Sequence, residues 1–472
     1  MKDPLLSAFD SLCVRSAERP LVFHGGRSPL RVGDLDALAR RLSQGPALSA
    51  LEPGALVGVS SPGGVSFLAC VLALRRVGAS VLLLDTSAPA ASIRRTARAL
   101  GAVALFGCDD TWPDSDDVFR LRPLVRDPKA RPLSTRTAFL KTTSGSTARP
   151  RGVAVSTEAL LADEEALARS MGIVESDRVV AAVPLSHSYG FSSAALPALV
   201  RGTSLVLPDP SGPLSPIAAA REAEATVFPT APAYLGALLR MSRPPCWPAT
   251  LRLVISAGAP LPPETAVRFR EQTGRHVHVF YGASECGGIC YDREGGAGVR
   301  GTVGTPVAGV RVTVEPLGHS PGVDEGLVVV DSPAAAEGYV PEPEAERLGD
   351  GRFRTSDVGT FRNGELQLLR RADAVINVKG KKVDPAEIEA TLRALHGVDE
   401  VVAVGVPDPR TGAFTVRVVI ACRAGGLTRE DVLRHCRSRL AEHKVPRSIK
   451  LVHEIPRTAR GKIDRGALVG RS

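Results

Sequence analysis

Aromatic residues are scarce in this chain: 13 Phe, five Tyr and two Trp make up 4% of 472 residues. Ala, Val and Leu must therefore do most of the core packing. No basic run is interleaved with stacking rings, the arrangement that single-strand binders require, so nucleic acid is not an expected partner. Lys is scarcer still, nine against 50 Arg among the 59 basic residues. The formal charge of +9 thus reflects a bias toward Arg, Ala, Gly and Pro, and it favours anionic ligands such as nucleotides or a carrier protein. Lys379, Lys381, Lys382 and Lys462 stand out against that background. The eight Cys form no CxxC pair, which argues against a structural zinc. Cys286 and Cys290 have no second pair or nearby His to complete a site. Reduced, mostly buried thiols suit a cytoplasmic protein. The N-terminus, MKDPLLSAFDSL, lacks the apolar core of a signal peptide. No apolar run reaches the length of a membrane span.

What is present suits an enzyme of two or three domains, with 44% hydrophobic and 23% charged residues. Residues 4–19 and 33–50 have helical spacing of apolar positions. From Ala55 to Phe106 short apolar strands alternate with helices, Ser66–Val77 and Ser92–Leu100, a rhythm that predicts a parallel sheet covered on both faces. Asp109–Pro132 is polar and Pro-rich and reads as surface loop. Glu158–Ser170 is a strongly patterned helix, and Arg178–Val183 a strand. Asn363-Gly364 is a favourable hairpin turn. Val398–Val406 and Phe414–Ala421 are strands, and Thr428 caps a helix over Arg429–Leu440.

The most informative stretch is TTSGSTARPRGV, Thr142–Val153. Thr142, Thr143, Ser144, Ser146 and Thr147 surround Gly145, and Arg149 and Arg151 follow. Hydroxyls, backbone N–H groups beside a glycine, and guanidinium groups are what polyphosphate oxygens need. The flanking apolar segments place the loop between two strands. It does not fit the Walker pattern, and a solvated Ser/Thr turn is the alternative. The loop resembles the TSGSTGxPKG signature of the adenylate-forming superfamily, which includes acyl-CoA synthetases, peptide-synthetase adenylation domains and luciferases. Ala148 stands where that family has Gly, and Arg151 where it has Lys.

The resemblance continues along the chain. PLSHSYGF, 184–191, resembles PLFHxxG, in which the aromatic or His side chain, here His187, borders the acyl site. The turn Ser256-Ala257-Gly258-Ala259 matches the one that touches adenine. VFYGASECGG resembles YGxTE: Tyr281 and Gly282 for adenine, Ser284 for phosphate, Glu285 for Mg2+, which is usually held by one or two carboxylates and substrate oxygens. FRTSDVG resembles (Y/F)RTGD and implies that Asp357 holds the ribose hydroxyls. RRADAVINVKGKKVDPAEIE resembles GRxDxxIKxxGxxVxPxEIE, with Arg371 at adenosine, Asp373 as hinge and Gly380 in the loop that covers the adenylate for thiol attack. PRTARGKIDR matches PxTxxGKxxR and makes Lys462 the catalytic-lysine candidate beside Glu285 and His187.

The family implies an α/β fold: a large N-terminal domain, 1–371, of two αβ-layered sheets and a distorted β-barrel. This is hinged to a mobile α/β domain, 372–472, with the site between them. It implies activation of a small-molecule carboxylic acid by ATP and Mg2+, then transfer to a thiol. KVPR, EIPRTARGK and the His in PLSHSYGF resemble acyl- and aryl-CoA synthetases more than peptide-synthetase domains, which implies coenzyme A as the acceptor, although no compact coenzyme A signature exists. No Asp occurs in 184–199, where amino-acid activators carry one, so an α-amino acid is disfavoured. The runner-up is a discrete enzyme loading the acid onto an acyl carrier protein. A third reading, a non-catalytic adenylate binder, draws on the departures Ala148, Ser356, Arg370 and Asn377.

Overall fold

The computed structural model describes residues 3–125, 127, 130, 132–142, 150–209, 212–316, 325–341, 346–372, 376–378, 381–383, 385–407, 414–422, 426–458 and 463–469. The chain forms two compact units. One comprises 1–315 with 328–355 and 360–367, the other 316–327 with 356–359 and 368–472.

The first unit carries two large sheets. Strands Leu56–Val59, Ser80–Leu83, Ala104–Gly107 and Phe139–Thr142 form the parallel heart of a seven-stranded sheet. The first three are buried at every position, as strands covered on both faces must be. Gly152–Val155 and Gly338–Val340 extend that sheet antiparallel. Strands Pro20–His24, Ser204–Leu207, Arg178–Val180, Val227–Thr230, Leu253–Ser256 and His278–Ala283 run parallel in a nine-stranded sheet. Helix Gly64–Arg76 is apolar on all sides and buried as far as Leu74, so it lies inside the layers. Helix Thr157–Met171 starts where Ser156 accepts the Ala159 N–H and stops at Gly172, whose φ is +62°.

A five-stranded sheet follows in the chain, built on Arg311–Pro316, Gly326–Asp331, Leu348–Gly349, Arg352–Arg362 and Glu365–Arg371. Its last two strands turn at Asn363-Gly364, both at positive φ, as expected. The second unit holds the three-stranded sheet Glu400–Pro407, Phe414–Ala421 and Ser448–Val452. Helices Pro385–Arg393 and Arg429–Arg437 contribute Ile388, Leu392, Val432 and Cys436 to its core. Thr428 and Asp431 form the capping box of the second helix. The α/β class expected from the sequence is the one observed. Among the described residues no helix is long and apolar enough to cross a membrane, and all eight Cys are free.

Two readings need correction. The supposed loop 109–132 contains the strand Arg120–Pro123, antiparallel to Ala104–Gly107. It is an edge strand with no fully buried position, so it has no alternating pattern to read. The strand from Arg178 ends at Val180, before the turn at Pro184.

Lys141 lies in the strand that leads into the phosphate-type loop, yet it is only 3% exposed. Burial lowers its pKa from the ordinary 10.5, opposed chiefly by the charge of Asp163. Below the lowered pKa the buried ammonium therefore costs stability, and the cost fades as pH rises toward 10.5. Lys141→Met should stabilise the fold at pH 7, because the lowered pKa means that burial of the ammonium outweighs its attraction to the Asp163 charge. The gain should shrink toward pH 10. Urea unfolding across that range checks the sign; a Met variant weaker than wild type at pH 7 would contradict it.

Candidate active site

The motifs of the first unit gather beyond the carboxyl ends of its parallel strands, where open α/β sheets bind ligands. Thr142 ends Phe139–Thr142 and donates its hydroxyl to the Leu83 carbonyl, 3.1 Å. Thr142 pairs with Gly152 across the hairpin, so the signature loop does connect two strands. Thr143, Ser144, Gly145, Ser146 and Thr147 lie outside the described residues, as does Ala148. Arg151 is described, and its guanidinium lies 3.5 Å from the ring centre of Tyr339. The Tyr339 hydroxyl donates to Glu285 Oε1 at 3.0 Å. Burial, then the Glu285 charge, raises the Tyr339 pKa, which keeps the phenol a donor.

The turn after Val180 carries His187. Its N–H donates to the Pro184 carbonyl at 3.0 Å, and its carbonyl accepts from Phe191 N at 2.8 Å. His187 Nε2 lies 3.4 Å from Asp85 Oδ2, beyond the carboxyl end of Ser80–Leu83. Ser188 and Ser284 share a 2.7 Å hydroxyl–hydroxyl bond. Tyr189 donates to the Ile255 carbonyl at 2.9 Å, one residue before the small-residue turn. Gly258 in that turn has φ +85° and open space where a Cβ would be, and Ala259 follows it. The strand with Tyr281 and Gly282 pairs with Gly287–Tyr291, and its register shifts between those two residues.

Asp163, 2% exposed on helix Thr157–Met171, ties these parts together. Its carboxylate accepts from Ser192 Oγ and from Gly288 N, each at 2.8 Å. A Cβ on Gly287, whose φ is +68°, would lie 2.3 Å from Asp163 Oδ1. The YGASECGG segment is thus seated on a buried carboxylate. Cys286, fully buried there, has its pKa driven up by burial and is no nucleophile.

Asp357 and Arg371 belong to the second unit, where Arg371 Nη1 lies 3.6 Å from Asp357 Oδ1. Asp373, Gly380 and Lys462 lie outside the described residues. Sequence reasoning missed Asp85, Asp163 and Tyr339. Tyr339 left one faint signal, as one of only five Tyr. Asp163 left none, because a polar residue within a helical pattern reads as solvated.

Among the described residues no cluster of three or more His, Cys, Asp or Glu could hold a metal. Glu285 accepts the phenol on one oxygen and retains Oε2, a donor set that fits Mg2+ completing its shell with nucleotide oxygens and water.

A family model described as AMP-binding enzyme matches residues 13–340, and one described as AMP-binding enzyme C-terminal domain matches 387–462. The feruloyl-CoA synthase of an Amycolatopsis species is 28% identical over 470 residues, 94% of each chain. A probable CoA ligase of Humulus lupulus is 31% identical over 337 residues, 68% of this chain and 64% of that one. Among solved structures, the amide bond synthetase McbA from Marinactinospora thermotolerans is 26% identical, with TM-score 0.80 over 99% of each chain. ATP-bound MatB from Rhodopseudomonas palustris, 24% identical, shares the fold with TM-score 0.81 over 98% of each chain. With its motifs in family order and its fold matched end to end, this chain belongs to the AMP-binding enzyme family of adenylate-forming enzymes.

Proposed function

We propose that the protein activates a carboxylic acid with ATP, releasing pyrophosphate, and passes the acyl group from the adenylate to coenzyme A. One observation carries the reading: the signature hairpin, the His187 turn and the YGASE turn meet through the Arg151–Tyr339–Glu285 and Ser188–Ser284 contacts. The relatives' names, feruloyl-CoA synthase and CoA ligase among them, support coenzyme A as acceptor.

A carboxylate is a poor electrophile. Its attack on the α-phosphate converts it to a mixed anhydride with AMP, and pyrophosphate leaves. Negative charge accumulates on phosphate oxygens in that transition state, so fixed positive and hydrogen-bonding groups dominate catalysis. Arg151 and the hydroxyls of 142–147 would hold the β- and γ-phosphates. Glu285 would hold Mg2+, which neutralises phosphate charge when bound. The Gly258-Ala259 turn and Tyr281-Gly282 would take adenine, Ser284 a phosphate oxygen, and Asp357 and Arg371 the rest of the adenosine. His187, braced against Asp85, would border the acyl group. Lys462, on residues 372–472 taken as a mobile domain, would bridge the carboxylate and the α-phosphate. A turn at Asp373 would then replace it with the Gly380 loop for thiol attack. A cytoplasmic setting, where ATP and coenzyme A are available, suits this chemistry.

The test is pyrophosphate release from ATP and Mg2+ across fatty, aryl and amino acids, with and without coenzyme A. The expected result is sustained release with a non-amino acid only when coenzyme A is present. Adenylate formation that coenzyme A fails to turn over, but a phosphopantetheinylated carrier protein does, would replace the acceptor. ATP binding with no acid-dependent release from any panel acid would overturn the catalytic reading.

A further inference from the structure

Tyr339 touches two charged residues of the phosphate end, and neither motif that supplies them includes it. It is 4% exposed and sits in Gly338–Val340, which pairs antiparallel with Gly152–Val155. Val340 opposes Gly152 and Tyr339 opposes Val153, so its backbone is locked two residues past Arg151. The preceding residues are bonded to the other motif: Ala336 N donates to the Glu285 carbonyl at 2.8 Å, and Ser332 Oγ to the Cys286 carbonyl at 3.4 Å. Glu337 adds a third anchor, accepting from Thr137 Oγ1 at 2.7 Å. Residues 332–340 therefore fasten the signature hairpin to the YGASE turn, and Tyr339 is where backbone anchoring becomes side-chain contact.

We propose that Tyr339 is a positioning residue: its hydroxyl orients the Glu285 carboxylate while its ring face seats the Arg151 guanidinium. One rigid side chain would thereby set the separation of the two charges that meet the triphosphate and its cation. A carboxylate only accepts, so the phenol must donate, and the bond holds Oε1 in place while leaving Oε2 for a cation. The ring also accounts for Arg at 151 where similar loops carry Lys. A planar guanidinium stacks flat on an aromatic face, a broader contact than the cation–π attraction of a compact, more strongly hydrated ammonium. Without the ring, the opposite charges of Arg151 and Glu285 could collapse onto each other and leave the nucleotide unmatched.

The proposal rests on the adenylating reading, and its test separates the two. Tyr339→Phe keeps the ring and removes the hydroxyl; Tyr339→Leu removes both. ATP binding by the full chain is measured by calorimetry over a series of Mg2+ concentrations, with acid-dependent pyrophosphate exchange alongside. Removing a group that orients a metal ligand costs about 10–100-fold in metal affinity, so Tyr339→Phe should need roughly tenfold more Mg2+ for half-maximal ATP binding. Its ATP affinity at saturating Mg2+ should stay close to wild type, because the stack survives. Tyr339→Leu should bind ATP more weakly even at saturating Mg2+, and adding Arg151→Ala to it should weaken binding little further. A Tyr339→Phe protein with an unmoved Mg2+ midpoint would overturn the proposal while wild type still binds ATP. A wild-type chain that does not bind ATP would overturn the adenylating reading, and this proposal with it.

Discussion

Lys462→Ala is expected to lose acid-dependent pyrophosphate release by roughly two to three orders of magnitude, the usual cost of removing one fixed electrostatic stabiliser. ATP binding should survive, because the proposed nucleotide contacts come from other segments of the chain. The assignment draws on PRTARGKIDR, and on a C-terminal family match that reaches residue 462. Its physical content is a single cation shared by the attacking carboxylate and the α-phosphate. Arg at 462 keeps the charge but changes length and shape, so Lys462→Arg should recover only part of the rate. Single-turnover adenylate formation distinguishes this from a slow later step. Near-wild-type adenylation by Lys462→Ala would remove the residue from the mechanism.

Gly190→Ala should be among the most damaging glycine substitutions in the first unit. A Cβ there would sit 2.2 Å from the Pro184 carbonyl oxygen and 2.8 Å from that of Val183. These are backbone atoms, and the Pro184 oxygen is already bonded to His187 N–H at 3.0 Å, so it has little freedom to retreat. The other side is closed as well, since Phe191 packs against Phe139 with ring centres 5.4 Å apart. The turn must open, and His187 and Ser188 move with it, at a cost of about 3 kcal/mol for overpacking. Urea unfolding should show that loss, and the KM for the acid should rise as the Ser188–Ser284 bond breaks. Wild-type stability in the Gly190→Ala variant would show that the turn has room to spare.

The local pieces of the site were legible before any coordinates. Hydroxyls and guanidinium groups around a glycine, a carboxylate after Tyr-Gly, and a Gly-Lys near the end each announce phosphate or carboxylate chemistry by residue type. The strands on either side of the signature loop, the Asn363-Gly364 turn and the Thr428 cap were equally readable, because each depends on a few adjacent residues. Less legible were features whose partners are remote. Arg120–Pro123 pairs at a sheet edge without burying a face, so no pattern marks it. Lys141 follows Phe-Leu in a short strand, and its sequence does not reveal that the ammonium is buried.

Sequence alone determined which chemistry the chain can perform, since that depends on the identity and spacing of side chains within short motifs. Tertiary structure alone decided which residues hold those motifs together. Tyr339 and Glu285 are 54 residues apart, Ser188 and Ser284 are 96 apart, and Asp163 and Gly288 are 125 apart. Each contact follows from strand order and register in two sheets, and these are set by how whole layers bury their apolar faces. A hydrogen bond between distant segments leaves no trace in the local pattern of either one, so Tyr339 and Asp163 became visible only once the sheets had brought their partners within reach.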